Sequence, residues 1–141
     1  MNAKFNVGIK ALVTNGRKEI LLIKAGKKEP KIFKQTEKFW DIPGGKMKEN
    51  ETVRKALERE VKEELNAGVR PQALFDAVKS NWKKNKGMFL LLIVYRCELD
   101  RNEFKLSDEH SQWRWVPIKE ARKLLSTKYP KSFLDKLSEL G

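Results

Sequence analysis

The chain has one cysteine in 141 residues, five prolines, eight glycines and far fewer acids than bases. A lone Cys97 cannot close an internal disulfide. Its place at the end of an apolar run, with no base evident beside it, reads as a buried thiol rather than a nucleophile. Long hydrophobic runs are also missing. The longest, MFLLLIVY at 88–95, falls well short of the roughly 20 residues that a membrane-spanning helix needs. No charged start with an apolar core and cleavage site opens the chain. A soluble, cytoplasmic protein with no membrane partner is therefore expected. Without repeats, low-complexity tracts or an interdomain linker, residues 1–141 are expected to form one domain.

What is plentiful is positive charge. Thirty-one Lys and Arg face 19 Asp and Glu, a formal net charge of +12. Such an excess draws polyanions, whether nucleotides, nucleic acid or an acidic membrane, and does not choose among them. A lysine-rich solvated exterior accounts for the same count.

Patterning along the chain alternates strands and helices. The opening FNVGIKALVTNGRKEILLIKA has two β-branched apolar runs, at 5–13 and 19–24, around Asn15-Gly16, a pair that suits the positive φ angles of a tight hairpin. The polar segment GKKEPKIFKQTEK at 26–38 reads as a loop and a candidate substrate lid. A short strand FWDI then meets Pro43, Gly44 and Gly45, and the next 20 residues carry strong helix formers. The spacing predicts a helix over 51–65, capped by Asn50, with acids in its first turn and Asn66 as the left-handed residue that closes it. Two further strands, ALFDAVKS and GMFLLLIVYRCEL, are expected around the basic turn NWKKNK, with the second central in its sheet. SQWRWVPI follows as a last strand, with Trp113 and Trp115 on one side against the core. PIKEARKLL and PKSFLDKLSEL are the closing helices. This order implies an α/β fold with a mixed sheet between helices.

The stretch REVKEEL at 59–65 raises the question of function. At about 100° per residue from Val53, Leu57, Val61 and Leu65 lie near roughly 40°, 80° and 120°, with Ala56 near roughly 300°. Glu60 and Glu64 fall near roughly 340° and 20°, inside that packing arc, and Glu63 at about 280° on its border. Burying an unpaired carboxylate costs several kcal/mol, so a helix built only for stability would turn these acids outward. Internal Lys or Arg partners would compensate, and a surface reading through Arg59–Glu63 and Glu58–Lys62 pairs is also available. A hard divalent cation such as Mg²⁺ relieves both desolvation and mutual repulsion when acids cluster. The diglycine corner lets main-chain oxygens join them.

Taken together, GKMKENETVRKALEREVKEELNA resembles the signature of the Nudix hydrolases, G-x(5)-E-x(7)-R-E-U-x-E-E-x-G-U with U aliphatic. Gly45, Glu51, Arg59, Glu60, Val61, Glu63 and Glu64 match in register, Ala67 stands in for the last aliphatic, and Asn66 replaces the usual Gly. WDIPGG and DEHSQWRWV also resemble the family's surroundings of that signature. The resemblance implies a single-domain α/β/α sandwich, dependence on Mg²⁺ with Mn²⁺ as a substitute, and hydrolysis of a nucleoside diphosphate linked to a variable group. It implies that Glu60, Glu63, Glu64 and the Gly45 carbonyl hold the metal, that Glu63 alternatively takes the proton from the attacking water, and that Arg59 and Glu51 pair to hold loop and helix together. Glu109 and His110, before the last strand, are further candidates for the base.

For substrate contact, Trp40, Gly44 and Trp82 are the candidates, with the basic segments KAGKKEPK and NWKKNKG steering a polyphosphate. The marginal preference is a damaged nucleoside triphosphate, in nucleotide-pool sanitation. ADP-ribose and dinucleoside polyphosphates are the other substrate classes. A non-catalytic nucleotide- or RNA-binding module of the same fold is the rival; the intact acids, which repel phosphate, speak against it. An isomerase of the same fold would need a catalytic Cys, for which Cys97 is poorly placed. Nucleic acid is the less favoured partner, and a homodimer is common enough to expect.

Overall fold

The computed structural model describes residues 4–25, 39–85, 88–106 and 110–140. Among the described residues, seven strands and three helices follow in the order β1 (Lys4–Leu12), β2 (Glu19–Ala25), β3 (Trp40–Asp41), β4 (Gly44–Lys46), α1 (Val53–Leu65), β5 (Val69–Asn85), β6 (Met88–Leu99), β7 (His110–Pro117), α2 (Ile118–Leu125) and α3 (Lys131–Leu137), ending in a 3-10 turn at Ser138–Leu140.

The expected mixed sheet is divided in two. One sheet has the order β4-β1-β6-β5, with β1 and β6 parallel and the other pairs antiparallel; the second, β3-β2-β7, is antiparallel throughout. β6 is internal, as its apolar run requires. The hairpin expected between β1 and β2 survives only at its tip, where Thr14 bridges Ile20 and Leu21 N–H donates to Val13 O at 3.0 Å. Beyond the tip the two strands enter different sheets, because β1 finds its partners in β4 and β6. Asn15 organises that turn through its side chain, whose Oδ1 accepts from the Arg17 and Glu19 N–H groups at 3.0 Å each, and the positive φ falls on Lys18.

Alternation along the strands sends side chains to two cores. Leu12, Ile20, Leu22, Leu92 and Val94 face one core, with Ala121, Leu125, Tyr129, Phe133 and Leu137 from α2, α3 and the turn between them. Ile9, Ala11, Leu21, Ile23 and Cys97 face the other, with Ala56, Leu57, Val61 and Leu65 of α1. The sheets thus lie between α1 and the α2–α3 pair, the α/β/α sandwich expected from the resemblance. Trp113 and Trp115 both pack, half-buried, against the α1-side core.

Two boundaries differ from the sequence reading. α1 begins at Val53, capped by Thr52, whose Oγ1 accepts from Lys55 N–H at 3.2 Å. Asn50 is not the cap, because residues 48–51 close their own turn through Glu51 N–H to Lys48 O, and no acid occupies the first helical turn. At the other end Asn66 takes φ 51° and ψ 41°, the left-handed closure expected of it. β5 runs on to Asn85, so residues 81–85 of the expected basic turn are strand. Its backbone pairs with Met88 and Phe89 whatever the polarity of the side chains. Residues 26–38, the candidate lid, lie outside the described residues.

Candidate active site

The inward glutamates of α1 meet the diglycine bend. Glu64 is buried, and its Oε1 accepts the Gly44 N–H at 2.6 Å. Gly44 holds φ at +133°, and a Cβ there would overlap the Ile9 carbonyl and approach Lys10 Cα to 2.8 Å; glycine alone fits. Gly45 lies directly against Glu60: a Cβ on it would sit 2.5 Å from the Glu60 carboxylate. The missing side chain leaves the bend's main chain in contact with that acid.

Arg59 organises the rest. Its Nε and Nη2 donate to the two oxygens of Glu51 at 2.5 and 2.9 Å, and Nη2 also donates to Lys46 O at 3.0 Å. Its Nη1 reaches Glu60 at 2.8 Å and Glu63 at 3.3 Å. One guanidinium therefore ties the loop before α1, the bend and two turns of the helix together, the Glu51–Arg59 strut that the resemblance implied. The Arg59 hydrogen bond, supplemented by the Lys48 N–H, holds the Glu51 carboxyl down to about 2. Glu60 goes the other way. Burial raises its pKa, and neither the shared Arg59 nor the Lys10 charge cancels the rise, to which the neighbouring Glu63 charge adds. Glu63 stays half exposed. The Glu58–Lys62 pair of the surface reading is replaced by Arg54–Glu58 at 3.1 Å.

Oxygen donors from carboxylates, beside a main chain stripped of side chains, are the chemistry that suits a hard divalent cation. Among the described residues no three acids already converge as a cage. Arg59 stands between Glu60 and Glu63, and Gly44 holds one oxygen of Glu64.

Behind the bend lies a second charged group that the sequence reading missed. Asp41 accepts from Ile42 N–H at 2.8 Å and Tyr129 Oη at 2.7 Å on one oxygen. Its other oxygen faces Lys128 Nζ at 2.6 Å and Lys10 Nζ at 3.1 Å. Burial alone would raise this acid, but the two ammonium charges, with the Lys128 and Tyr129 hydrogen bonds, overcome it and hold Asp41 at about 2. Lys128 is placed by its backbone, whose carbonyl accepts Ser80 Oγ at 2.7 Å and Asn81 N–H at 2.8 Å. A lysine within the apolar run IKALV, and an acid within FWDI, were the available signals. Nothing local marks Lys128 or Tyr129.

The other candidates are dispersed. Trp82 packs against Phe39, ring centroids 4.8 Å apart, with the Lys128 ammonium 4.8 Å from its ring, so it adjoins the Asp41 group. Trp40 is half-buried, with the Arg114 guanidinium 5.3 Å from its ring. Glu109 and the His110 side chain lie outside the described residues. Cys97 is buried, donates weakly to Tyr95 O at 3.4 Å, and has its thiol pushed up to about 12 by burial, as an inert thiol should.

The family model for the NUDIX domain matches residues 4–137. The chain belongs to the Nudix family. Members of that family are hydrolases of nucleotide pyrophosphate linkages that generally depend on a divalent metal. An 8-oxo-dGTP diphosphatase of Buchnera aphidicola is 30% identical over 100 residues, covering 71% of this chain and 68% of that protein. Nudix hydrolase 5 of Arabidopsis thaliana is 26% identical over 125 residues, covering 84% of this chain; the match spans only 38% of the plant protein. Among solved structures, a MutT protein from Methanosarcina mazei superposes with a TM-score of 0.76 at 23% identity, covering 99% of this chain and 95% of that one, a likeness of fold. Among the described residues of this Nudix chain, no helix is long and apolar enough to cross a membrane.

Proposed function

We propose that this Nudix chain is a divalent-metal-dependent hydrolase of a nucleoside diphosphate derivative, with a nucleoside triphosphate as its substrate and pool sanitation as its role. The observation that carries the reading is the Glu60 carboxylate, kept out of water against Gly45 with its charge only partly balanced. A cost of this kind is retained where an ion is to be held. The Buchnera relative's activity on an oxidised nucleoside triphosphate supports the choice of substrate class.

In this reading Glu60, Glu64 and the Gly45 carbonyl hold Mg²⁺ or Mn²⁺, and the half-exposed Glu63 takes the proton of the attacking water. When bound, the metal neutralises phosphate oxygens and lowers the pKa of water. Arg59 holds Glu60 and Glu63 in place and is itself braced by Glu51. Gly44 lets the main chain lie close to the phosphates, and Trp40 and Trp82 are the candidates for contact with the base. The half-exposed position of Glu63 supports its assignment as base.

The test is a panel of nucleoside triphosphates, oxidised nucleoside triphosphates, sugar nucleotides, ADP-ribose and dinucleoside polyphosphates, with Mg²⁺ and with EDTA. Pyrophosphate and nucleoside monophosphate should appear from a triphosphate with Mg²⁺ only. Glu60→Gln and Glu63→Gln should each lower kcat roughly 100- to 10,000-fold. Undiminished turnover in both variants would overturn these roles, and tight RNA retention without turnover on any nucleotide would favour the binding module.

A further inference from the structure

The face that the four-stranded sheet turns toward α1 is only partly covered by that helix. In the register Phe5 stands beside Phe89, Val7 beside Leu91 and Lys79, Ile9 beside Ile93 and Ala77, and Tyr95 beside Leu74. Ile9 lies in the α1-side core, and the other rows follow it at the two-residue period, so all of them point to this face. α1 lies over β1 and β4 and reaches β5 toward its Val69 end. Beyond that cover, β6 and β5 keep an apolar strip. Phe5 is 49% exposed and Leu74 56%, and Phe89 and Leu91 are half-buried. These four belong to neither core. Phe5 and Phe89 instead pack on each other, ring centroids 5.5 Å apart. Large apolar side chains gathered on one open face, rather than scattered singly, mark a surface built to meet another apolar surface.

The strip has two unlike walls. On one side stands the flank of α1 turned away from the diglycine bend. Glu60 marks the flank toward the bend, and at about 100° per residue Arg54 and Glu58 lie on the far side of the helix from it, joined by an ion pair at 3.1 Å. On the other side β5 closes the sheet, and Lys79 rises from it with Nζ 4.7 Å from the Phe89 ring. The walls stand at about the same height along the strands. Arg59, next to Glu58, reaches Lys46 O, Lys46 pairs with Gly8, and Lys79 shares the row of Val7.

Single-stranded nucleic acid would need a row of cations and open ring faces. Among the described residues of the strip the cation is Lys79, held over the Phe89 ring amid aliphatic side chains. A second copy of the chain fits better. A two-fold axis parallel to the strands lays strip on strip and preserves height along them. The β5 wall of each copy then comes against the α1 wall of the other, so that apolar rows meet apolar rows and Lys79 meets an acid.

We propose that the chain forms a two-fold homodimer through the face carrying Phe5, Phe89, Leu91 and Leu74, with Lys79 of each copy opposite Glu58 of the other. The acids of the active site lie on the other flank of α1, so this surface is independent of the metal-binding reading.

Sedimentation velocity on the full chain, with enough salt to screen its net charge of +12, reads the association. Interfaces of standard size hold with a Kd of about 1 µM or tighter, so the wild type should run as a dimer well above that concentration. Leu74→Lys, at an exposed position and present twice in each dimer, should weaken association about 100-fold with the far-UV circular dichroism unchanged. Phe5→Ser should weaken it less. Lys79→Glu and Glu58→Lys should each weaken it, and the double variant should recover most of the lost affinity; no recovery overturns the two-fold arrangement. A wild type that is still monomeric at roughly 100 times that Kd overturns the proposal. So does a dimer whose Kd is unchanged in both Leu74→Lys and Phe5→Ser, since its contact lies elsewhere. Retention of a single-stranded oligouridylate that Phe5→Ser abolishes would overturn it too, by giving the face to nucleic acid.

Discussion

Asp41 and Glu60 are equally withdrawn from solvent, with side chains 13% and 14% exposed, yet their environments push them in opposite directions. Asp41 is served by two ammonium groups, a phenol and a backbone N–H. Glu60 shares one guanidinium with Glu51 and Glu63 and feels the Lys10 ammonium only at a distance, and burial, with the Glu63 charge, outweighs both. What decides whether a buried carboxylate supports the fold or strains it is therefore the share of a partner it receives, not its depth. Asp41 is saturated and knits β3, β1 and the turn after α2 together. Glu60 is left short of positive charge at the place where, in the proposed function, a cation is needed.

Breaking the saturated side should have the largest effect on stability. Asp41→Ala leaves Lys10 and Lys128 facing each other without their acid, and should cost about 3–5 kcal/mol in a denaturant titration. A loss below about 1 kcal/mol, the range of surface ion pairs, would show that the two lysines find other partners and that Asp41 is no keystone.

A smaller effect is expected with pH. Asp41 titrates at about 2 when folded, against 3.8 for an unperturbed aspartate. A depressed acid stabilises the fold above its unfolded pKa, and that contribution drains as pH falls from about 3.8 through about 2, a loss of roughly 2 kcal/mol. Subtracting the acid limb of Asp41→Asn from that of the wild type should isolate this slope. Identical limbs would mean that Asp41 is not held ionised by its lysines.

The same contrast explains what the sequence disclosed. The helix carries its information locally: a 3.6-residue period is enough to place Glu60 and Glu64 inward and Glu63 at the border, and a fixed spacing from Gly45 brings the bend to them. Asn66 was legible for the same reason, since the left-handed closure depends on one residue's backbone. The Asp41 group was not legible, because Lys128 and Tyr129 lie 87 and 88 positions away and are brought in by tertiary packing. Strand partners were likewise hidden. The tip of the β1–β2 hairpin is a local signal, whereas the division into two sheets depends on β4 and β6, which lie far along the chain. The cap at Thr52 rather than Asn50 reflects the turn that residues 48–51 close on themselves, which a residue-by-residue propensity does not register.

The most direct measurement on the strained side is the melting temperature of Glu60→Gln beside the wild type, each with EDTA and with excess Mn²⁺. A raised folded pKa means that the ionised form costs stability above it, so a neutral isostere should melt slightly higher without metal, by the equivalent of about 1 kcal/mol or less. The wild type should then gain stability with Mn²⁺ while Glu60→Gln gains little, so that their order reverses. A Glu60→Gln protein that melts lower in EDTA, and rises with Mn²⁺ as far as the wild type does, would contradict the claim that Glu60 is kept short of charge in order to hold a cation.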